Sequence, residues 1–413
     1  MAVVDLDYDV LVVGAGLIGS TLVAALSQTN MRVGWVEAQE QVFGSDGRSS
    51  ALALGTTEIL KQVQAWSFME RSGVSPIDRI QISDGSSTQT CELHSTDIQV
   101  QALGYVVDNQ LTQTALRQVI HQAPHIQSIC PARVTAIDPQ ASFVGVRIQH
   151  QNQDRILKVQ LILAADGSRS LLRDLAGISQ TSWEYGQVCI VSTVTTEYPH
   201  QQVAYERFQP SGPFAILPMT AGSDSTQASH RSCVVWTARA HDRDRILSLS
   251  ERDFLAAMAP SFGSQLGALL SATRPQCYVP RRLHSHRYCA PRLVLVGDAA
   301  HTTHPLGGQG INMGMRDVAV LANVLSHAYQ KGQDLGQADL LRQYEQSRWP
   351  ENQGILLATD MANRVFSNTC LPLTWGRRFA LQSLNYLDPI KHLLMRQAMG
   401  IAPYQARLQL AQV

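Results

Sequence analysis

The chain has 413 residues, 45% of them hydrophobic, and its 33 Lys plus Arg balance 33 Asp plus Glu to a formal charge of zero. A chain of this length outgrows a single core of roughly 250–300 residues, so two domains are expected, and the charge balance excludes a broad attraction to nucleic acid or to an anionic membrane. Seven cysteines without a Cys-x-x-Cys pair argue against a zinc ribbon, a redox disulfide or a secreted disulfide scaffold, and fit a reducing, cytoplasmic setting.

Met1 to Asp7 carries acids where a signal peptide needs basic residues, and no apolar run approaches the ~18 residues of a membrane span, so any membrane contact is expected to be peripheral. Tyr8 to Val13 is an apolar run that stops at glycine, Thr21 to Leu26 continues as a helix, and Arg32 to Val36 reads as a second strand, closing a β-α-β unit. Between them stands Gly14-Ala15-Gly16-Leu17-Ile18-Gly19. Gly14 permits a tight turn, Gly16 lets the backbone approach a pyrophosphate, Gly19 lets the helix pack on the strand, and the helix N-terminus offers N–H groups to the anion. Glu37 ends the second strand roughly 20 residues later, where a dinucleotide fold places its ribose-binding acid. These residues alone do not separate FAD from NAD.

Gln160 to Ala165 is another strand-like run that ends at Asp166-Gly167-Ser168-Arg169-Ser170, and Leu171 to Leu175 looks helical. Arg169 and Arg173 read either as site residues or as a surface ion pair of little energetic consequence. From Val188 to Trp236 alternating segments such as Val203 to Phe208 and Cys233 to Thr237, broken by Pro210, Gly212, Pro213 and Pro218, predict an antiparallel sheet and hence the substrate domain. Leu293 to Val296 restores a buried parallel strand, leading into Gly297-Asp298-Ala299-Ala300-His301 and then Pro305-Leu306-Gly307-Gly308-Gln309-Gly310-Ile311-Asn312.

A strand ending in Gly297-Asp298 can aim a carboxylate at a ribityl hydroxyl, and Gly307, Gly308 and Gly310 can bring backbone close to a flat ring. The helix from Ile311 to His327 then starts where its positive end favours charge on a reduced flavin. His301 and His304 have metal-ligand spacing but no third ligand nearby, so local hydrogen bonds or a place facing the flavin cavity are expected instead, with no metal. Beyond residue 335 the pattern is mostly helical, including Leu340 to Arg348 and Pro389 to Met399. Leu387, Ile390, Leu394, Ala398 and Ile401 form an apolar stripe beside Lys391, His392 and Arg396, suited to a bilayer, a partner or the chain's own core.

The expected fold class is α/β. A Rossmann-like FAD-binding domain (residues 1–75, 105–178 and 280–345) is interleaved with a substrate domain on an antiparallel sheet (76–104 and 179–279), and a C-terminal helical region follows (346–413).

Three signatures, Gly14-x-Gly16-x-x-Gly19, Asp166-Gly167-Ser168-Arg169-Ser170-x-x-Arg173 and Gly297-Asp298-Ala299-Ala300-His301 through Asn312, resemble the class A flavoprotein aromatic hydroxylases, the p-hydroxybenzoate hydroxylase-like family, over most of the chain. His304 to Val318, together with Arg48 to Thr56, Trp66 and Pro76 to Ile80, is similar to the ubiquinone-biosynthesis branch that hydroxylates 2-polyprenyl-6-methoxyphenol. The resemblance implies FAD held by Gly14, Gly16, Leu17, Ile18 and Gly19, with Glu37 on the adenosine ribose, Arg48, Asn109 and Val134 along the cofactor, and Gly297 and Asp298 at the ribityl–pyrophosphate stretch. Pro305, Gly307, Gly308, Gln309, Gly310, Ile311 and Asn312 would border the isoalloxazine. Gln110 takes the place of Asn109 if the register shifts by one. Asp166 and Arg169 would touch both FAD and the nicotinamide cofactor, and NAD(P)H would visit transiently, since no second Gly-x-Gly-x-x-Gly exists.

The implied reaction is hydroxylation of a prenylated phenol or quinol by O2. Other ubiquinone-biosynthesis proteins and the inner face of the cytoplasmic membrane are the implied partners, and nucleic acid is not among them. No catalytic base is assignable. Two alternatives remain open: a flavin monooxygenase for a small soluble aromatic, and a noncatalytic FAD-bearing assembly component.

Overall fold

The computed structural model describes residues 5–40, 48–85, 90–220, 228–402, 405 and 407–409, which leaves the start of the N-terminal segment, Met1 to Val4, outside the described residues. Strand β1 (Tyr8–Val13) is buried at all six positions, as its unbroken apolar run requires of a strand covered on both faces. It pairs in parallel with β2 (Val33–Val36), Val10 facing Val33, and with β3 (Gln153–Ala164), Val10 facing Leu161. Leu293–Leu295 joins the far edge of β3 in parallel, Ile162 facing Leu293, so a late segment of the chain returns to the sheet begun by β1. Helix α1 (Leu17–Leu26) starts directly after Gly16, earlier than the sequence pattern suggests. Helix α2 (Asn109–Ile120) is capped by Asp108, whose carboxylate accepts a 2.8 Å hydrogen bond from the Gln110 amide.

Only the second half of β3 is legible as a strand. Its first half, Gln153 to Lys158, runs exposed beside Val144–His150 as a hairpin and lacks the apolar run of the buried half.

The second sheet contains β4 (Gln187–Thr196), β5 (Val203–Gln209), β6 (Gly212–Met219) and β7 (Arg231–Arg239), in the order β4-β7-β6-β5. These pairs are antiparallel, as predicted, but β5 continues in parallel with Arg79–Asp84. One face packs Ile190, Phe214, Ile216 and Val234 against Phe254, Met258 and Phe262 of α3 (Glu251–Phe262). Strand alternation turns the intervening residues toward the first sheet.

Helix α4 (Gln309–Gln330) crosses α1 so closely that a Cβ on Gly314 would lie 2.6 Å from Ile18 Cδ1. The long α5 (Ala338–Phe366) lies against α4, followed by α6 (Leu371–Leu384) and α7 (Asp388–Ala398). The predicted C-terminal stripe does not form the core face of α7. Met395 and, just beyond, Met399 are buried, whereas Leu387, Ile390 and Leu394 are exposed. Helix α6 adds Leu371, Trp375 and Phe379, each at least 70% exposed, at four-residue spacing. No helix of the described residues is long and apolar enough to cross a membrane.

Candidate active site

A cavity of about 750 Å³ lies between the two sheets, within the range of ligand pockets. The turn between β1 and α1 lines it with Gly16, Leu17 and Ile18, and the turn before α4 lines it with Pro305, Gly307, Gly308, Gly310 and Ile311. Two glycine-rich segments almost three hundred residues apart therefore border one space. Arg48, Asn109, Gln110 and Asp298 also reach it.

The early glycines divide by what surrounds them. Gly14 has φ +108°, and a Cβ there would overlap the Ala165 carbonyl oxygen; a Cβ at Gly19 would overlap the Gly14 carbonyl. At Gly16 a Cβ would meet nothing within 4 Å. The first two shape the turn, while Gly16 leaves an open cradle at a helix N-terminus that fits a pyrophosphate. Glu37 reinforces the turn, its carboxylate accepting hydrogen bonds from the Ala15 amide at 2.8 Å and the Gln39 amide at 2.9 Å. Gln113, which sequence reasoning passed over, lines the cavity and donates to the Ala15 carbonyl at 3.2 Å.

Behind the late turn, Asp317 accepts the Gly297 amide at 3.1 Å, His301 Nε2 at 2.6 Å and Arg348 Nε at 2.8 Å. His301 is thus engaged locally. Asp298 faces the cavity; removal from bulk water raises its pKa, partly offset by the charges of His301 and Arg48. Asn312 does not line the cavity. Its amide oxygen accepts from the Ala53 amide at 2.9 Å and Thr56 Oγ1 at 2.7 Å, and its nitrogen donates to the Ala51 and Gly308 carbonyls, clamping the segment after Arg48 onto the late turn. Gln309 donates to the Gly307 carbonyl at 3.2 Å.

Several expected contacts lie off the cavity wall. Asp166 turns its carboxylate to the Leu172 amide at 3.2 Å, leaving Gly167 and Ser168 to line the space. Arg169 is exposed, and Val134 is buried in the strand Ala132–Pro139. Arg173 is buried, 3% exposed, with the exposed Asp174 carboxylate 3.8 Å from its Nε, and it donates to the Ala299 carbonyl at 3.0 Å and the Ser168 carbonyl at 3.2 Å, tying the Asp166 turn to the Asp298 turn.

The remaining wall is the free face of the second sheet, with Val191, Ala204, Glu206, Pro213, Ala215, Leu217 and Val235, joined by Ile77 and Ile80. Its aliphatic side chains predominate, with Thr237 and Tyr278 as further polar members and Glu206 as the carboxyl among them. Sequence reasoning missed this carboxyl, because Tyr205-Glu206-Arg207-Phe208 reads as a strand whose polar residues face solvent.

Residues 7–359 match the model of the FAD binding domain family. Ubiquinone hydroxylase UbiL of Rhodospirillum rubrum is 37% identical over 401 residues, 96% of this chain and 90% of its own length. The 3-demethoxyubiquinol 3-hydroxylase of Escherichia coli is 27% identical, covering 95% of this chain and 98% of its own. Among solved structures, p-nitrophenol 4-monooxygenase from Pseudomonas putida shares the fold with a TM-score of 0.77 at 16% identity, over 96% of this chain and 97% of that one.

Proposed function

The chain belongs to the FAD binding domain family and is an FAD-dependent monooxygenase using NAD(P)H, and from that premise we propose that it hydroxylates a polyprenylated phenol or quinol ring of ubiquinone biosynthesis, with 2-polyprenyl-6-methoxyphenol as the first candidate. The observation that carries the substrate class is the apolar sheet face opening onto the same cavity as the glycine turns. Each prenyl CH₂ buried there contributes about 0.8 kcal/mol, so an isoprenoid tail is favoured over a bare soluble ring.

FAD, when bound, accepts hydride from the nicotinamide and activates O2 for electrophilic transfer to the ring. The chain supplies position. Gly16 and the first turn of α1 hold the pyrophosphate, Glu37 the adenosine ribose, Arg48 and Asn109 the stretch between, and Asp298 the ribityl chain. Pro305, Gly307 and Gly308 border the flavin ring, and the apolar wall keeps water from the reacting carbon.

A membrane-resident tail also needs a route from the bilayer. We assign that contact to the outward face of α6 and α7, where Trp375, Phe379, Tyr386, Ile390 and Leu394 are exposed and Arg396 lies at the rim. Exposed aromatic and aliphatic residues beside a basic one suit the lipid headgroup boundary. The occupant proposed is the inner face of the cytoplasmic membrane, and another ubiquinone-biosynthesis protein is the competing one.

The deciding experiment is quinone analysis in a strain lacking the protein. Accumulation of 2-polyprenyl-6-methoxyphenol, or of a later demethoxy intermediate, identifies the blocked step; unchanged quinones, with no phenol stimulating NAD(P)H oxidation by the purified protein, overturn the reading.

A further inference from the structure

Glu206 stands at one end of a row of side chains on the cavity's sheet wall. The strand registers place it opposite Ala215 on β6, Ala215 opposite Val235 on β7, and Val235 opposite Val191 on β4. All four line the cavity, whereas Ile190, Phe214, Ile216 and Val234, out of phase with them, pack against α3. Glu206 is therefore a carboxyl in a row of small apolar side chains, and the short side chain of Ala215 beside it leaves it accessible to a ligand. It is half-buried, and among the described residues no hydrogen bond or ion pair reaches it. A carboxyl withdrawn from water without a partner costs stability, and it does no packing that a valine would not do better. Such a group in a cleft is a candidate for chemistry.

We propose that Glu206 is the base that takes the hydroxyl proton of a phenol bound in this cavity, an assignment that rests on the phenolic-substrate reading above. The substrate O–H bond breaks, its electron pair stays on the ring oxygen, and a carboxyl O–H bond forms, so the negative charge passes from Glu206 to the phenolate. The ring becomes richer in electrons at the carbon to be hydroxylated. Once hydroxylation is complete, the same carboxyl returns the proton to the oxygen.

The electrostatics suit the task. Burial pushes the Glu206 carboxyl up to about 7, which brings it closer to the ~10 of a phenol than an ordinary glutamate at ~4.3. Its base form accordingly predominates above that value and is lost below it. The titratable or charged groups around it are Tyr205 and Arg207 on its own strand, Cys189 on β4, Tyr278, and Arg48, Arg281 and Asp298 around the cavity. Tyr278 is engaged with Cys189.

The test is fluorine NMR of 2-geranyl-4-fluorophenol bound to the FAD-loaded protein, titrated across neutral pH, with the wild type beside Glu206→Gln. In the wild type the fluorine shift should inflect through an apparent pKa near 7, as the ionised carboxyl takes up a hydrogen bond from the phenol O–H while the resting ring stays protonated, and the hydroxylation kcat should rise through the same value; in Glu206→Gln both inflections should vanish, and kcat at neutral pH should fall on the order of 10²-fold. Retained FAD content and melting temperature establish that the variant is folded; should it not fold, Glu206→Asp takes its place and should displace the ionisation curve. Identical fluorine titration curves and pH–rate profiles in wild type and folded variant overturn the assignment of Glu206 alone. Failure of the probe to bind the wild type overturns the phenolic reading and the assignment with it.

Discussion

Asp317 and His301 meet at 2.6 Å beneath the turn that carries Asp298, and both are almost completely buried. Burial alone would raise the Asp317 pKa, but the charges of His301 and Arg348 and the hydrogen bonds they donate outweigh it and hold the carboxyl well below the usual range. Through the Gly297 amide the same carboxylate fixes the backbone of the turn. The cavity-facing loop is thus braced from its dry side.

Asp317→Asn leaves the buried Arg348 guanidinium with Glu351 as its remaining charge partner and His301 without its carboxylate, so the ceiling is the cost of a fully broken pair. Loss of a buried charge partner costs on the order of 3–5 kcal/mol, measurable by chemical denaturation at neutral pH. Because the folded pKa is lowered, the contribution is complete above the unfolded value of about 3.9 and fades as pH falls toward the folded value. The gap between wild type and variant should accordingly narrow below about pH 4.

Gly16→Val should separate folding from binding. The new side chain meets no protein atom within 4 Å at its Cβ, so melting of the apoprotein should change little, while FAD affinity falls by well over tenfold. Gly19→Ala is expected to do the reverse kind of damage, since its Cβ overlaps the Gly14 carbonyl and overpacking costs about 1–3 kcal/mol or more. Thermal melting paired with flavin fluorescence titration distinguishes the two; normal FAD binding by Gly16→Val would remove that residue from the pyrophosphate site.

For Asp298→Ala the expected effect lies in cofactor binding rather than in folding. The Asp298 side chain is exposed to the cavity, so alanine should leave apoprotein stability at neutral pH nearly unchanged. FAD occupancy after purification should fall. A variant as yellow as the wild type would contradict a ribityl contact.

Trp375→Ser with Phe379→Ser removes two rings that are each 73% exposed. Co-sedimentation with anionic phospholipid vesicles should drop sharply while turnover of a short-chain substrate in detergent persists. If the wild type ignores vesicles altogether, the face belongs to a protein partner.

Much of the first sheet was readable from the chain because β1 and the buried half of β3 are apolar runs broken by glycine, a signal that needs no tertiary context. Glycine spacing likewise located both turns. The braces behind them were not readable: Asp317, Arg348 and Asn352 are polar residues at helix positions that, from sequence, look like a solvated face, and only the crossing of α4 with α5 buries them together. Glu206 escaped for a related reason. Alternation correctly assigns it to the face opposite Tyr205, but local pattern does not reveal whether that face meets water or an enclosed space. The parallel pairing of β5 with Arg79–Asp84 depends on residues more than a hundred positions apart, beyond the reach of any short window.

The contact of Ile18 with Gly297 and Gly314 sets an order on biogenesis. A nascent chain emerging from the ribosome leaves the part of α1 around Ile18 without its late neighbour for nearly three hundred residues of synthesis, and such long-range closure is slow and prone to aggregation. The cavity therefore acquires its second glycine turn only late in synthesis, and a chain cut short before Pro305 lacks that part of its wall.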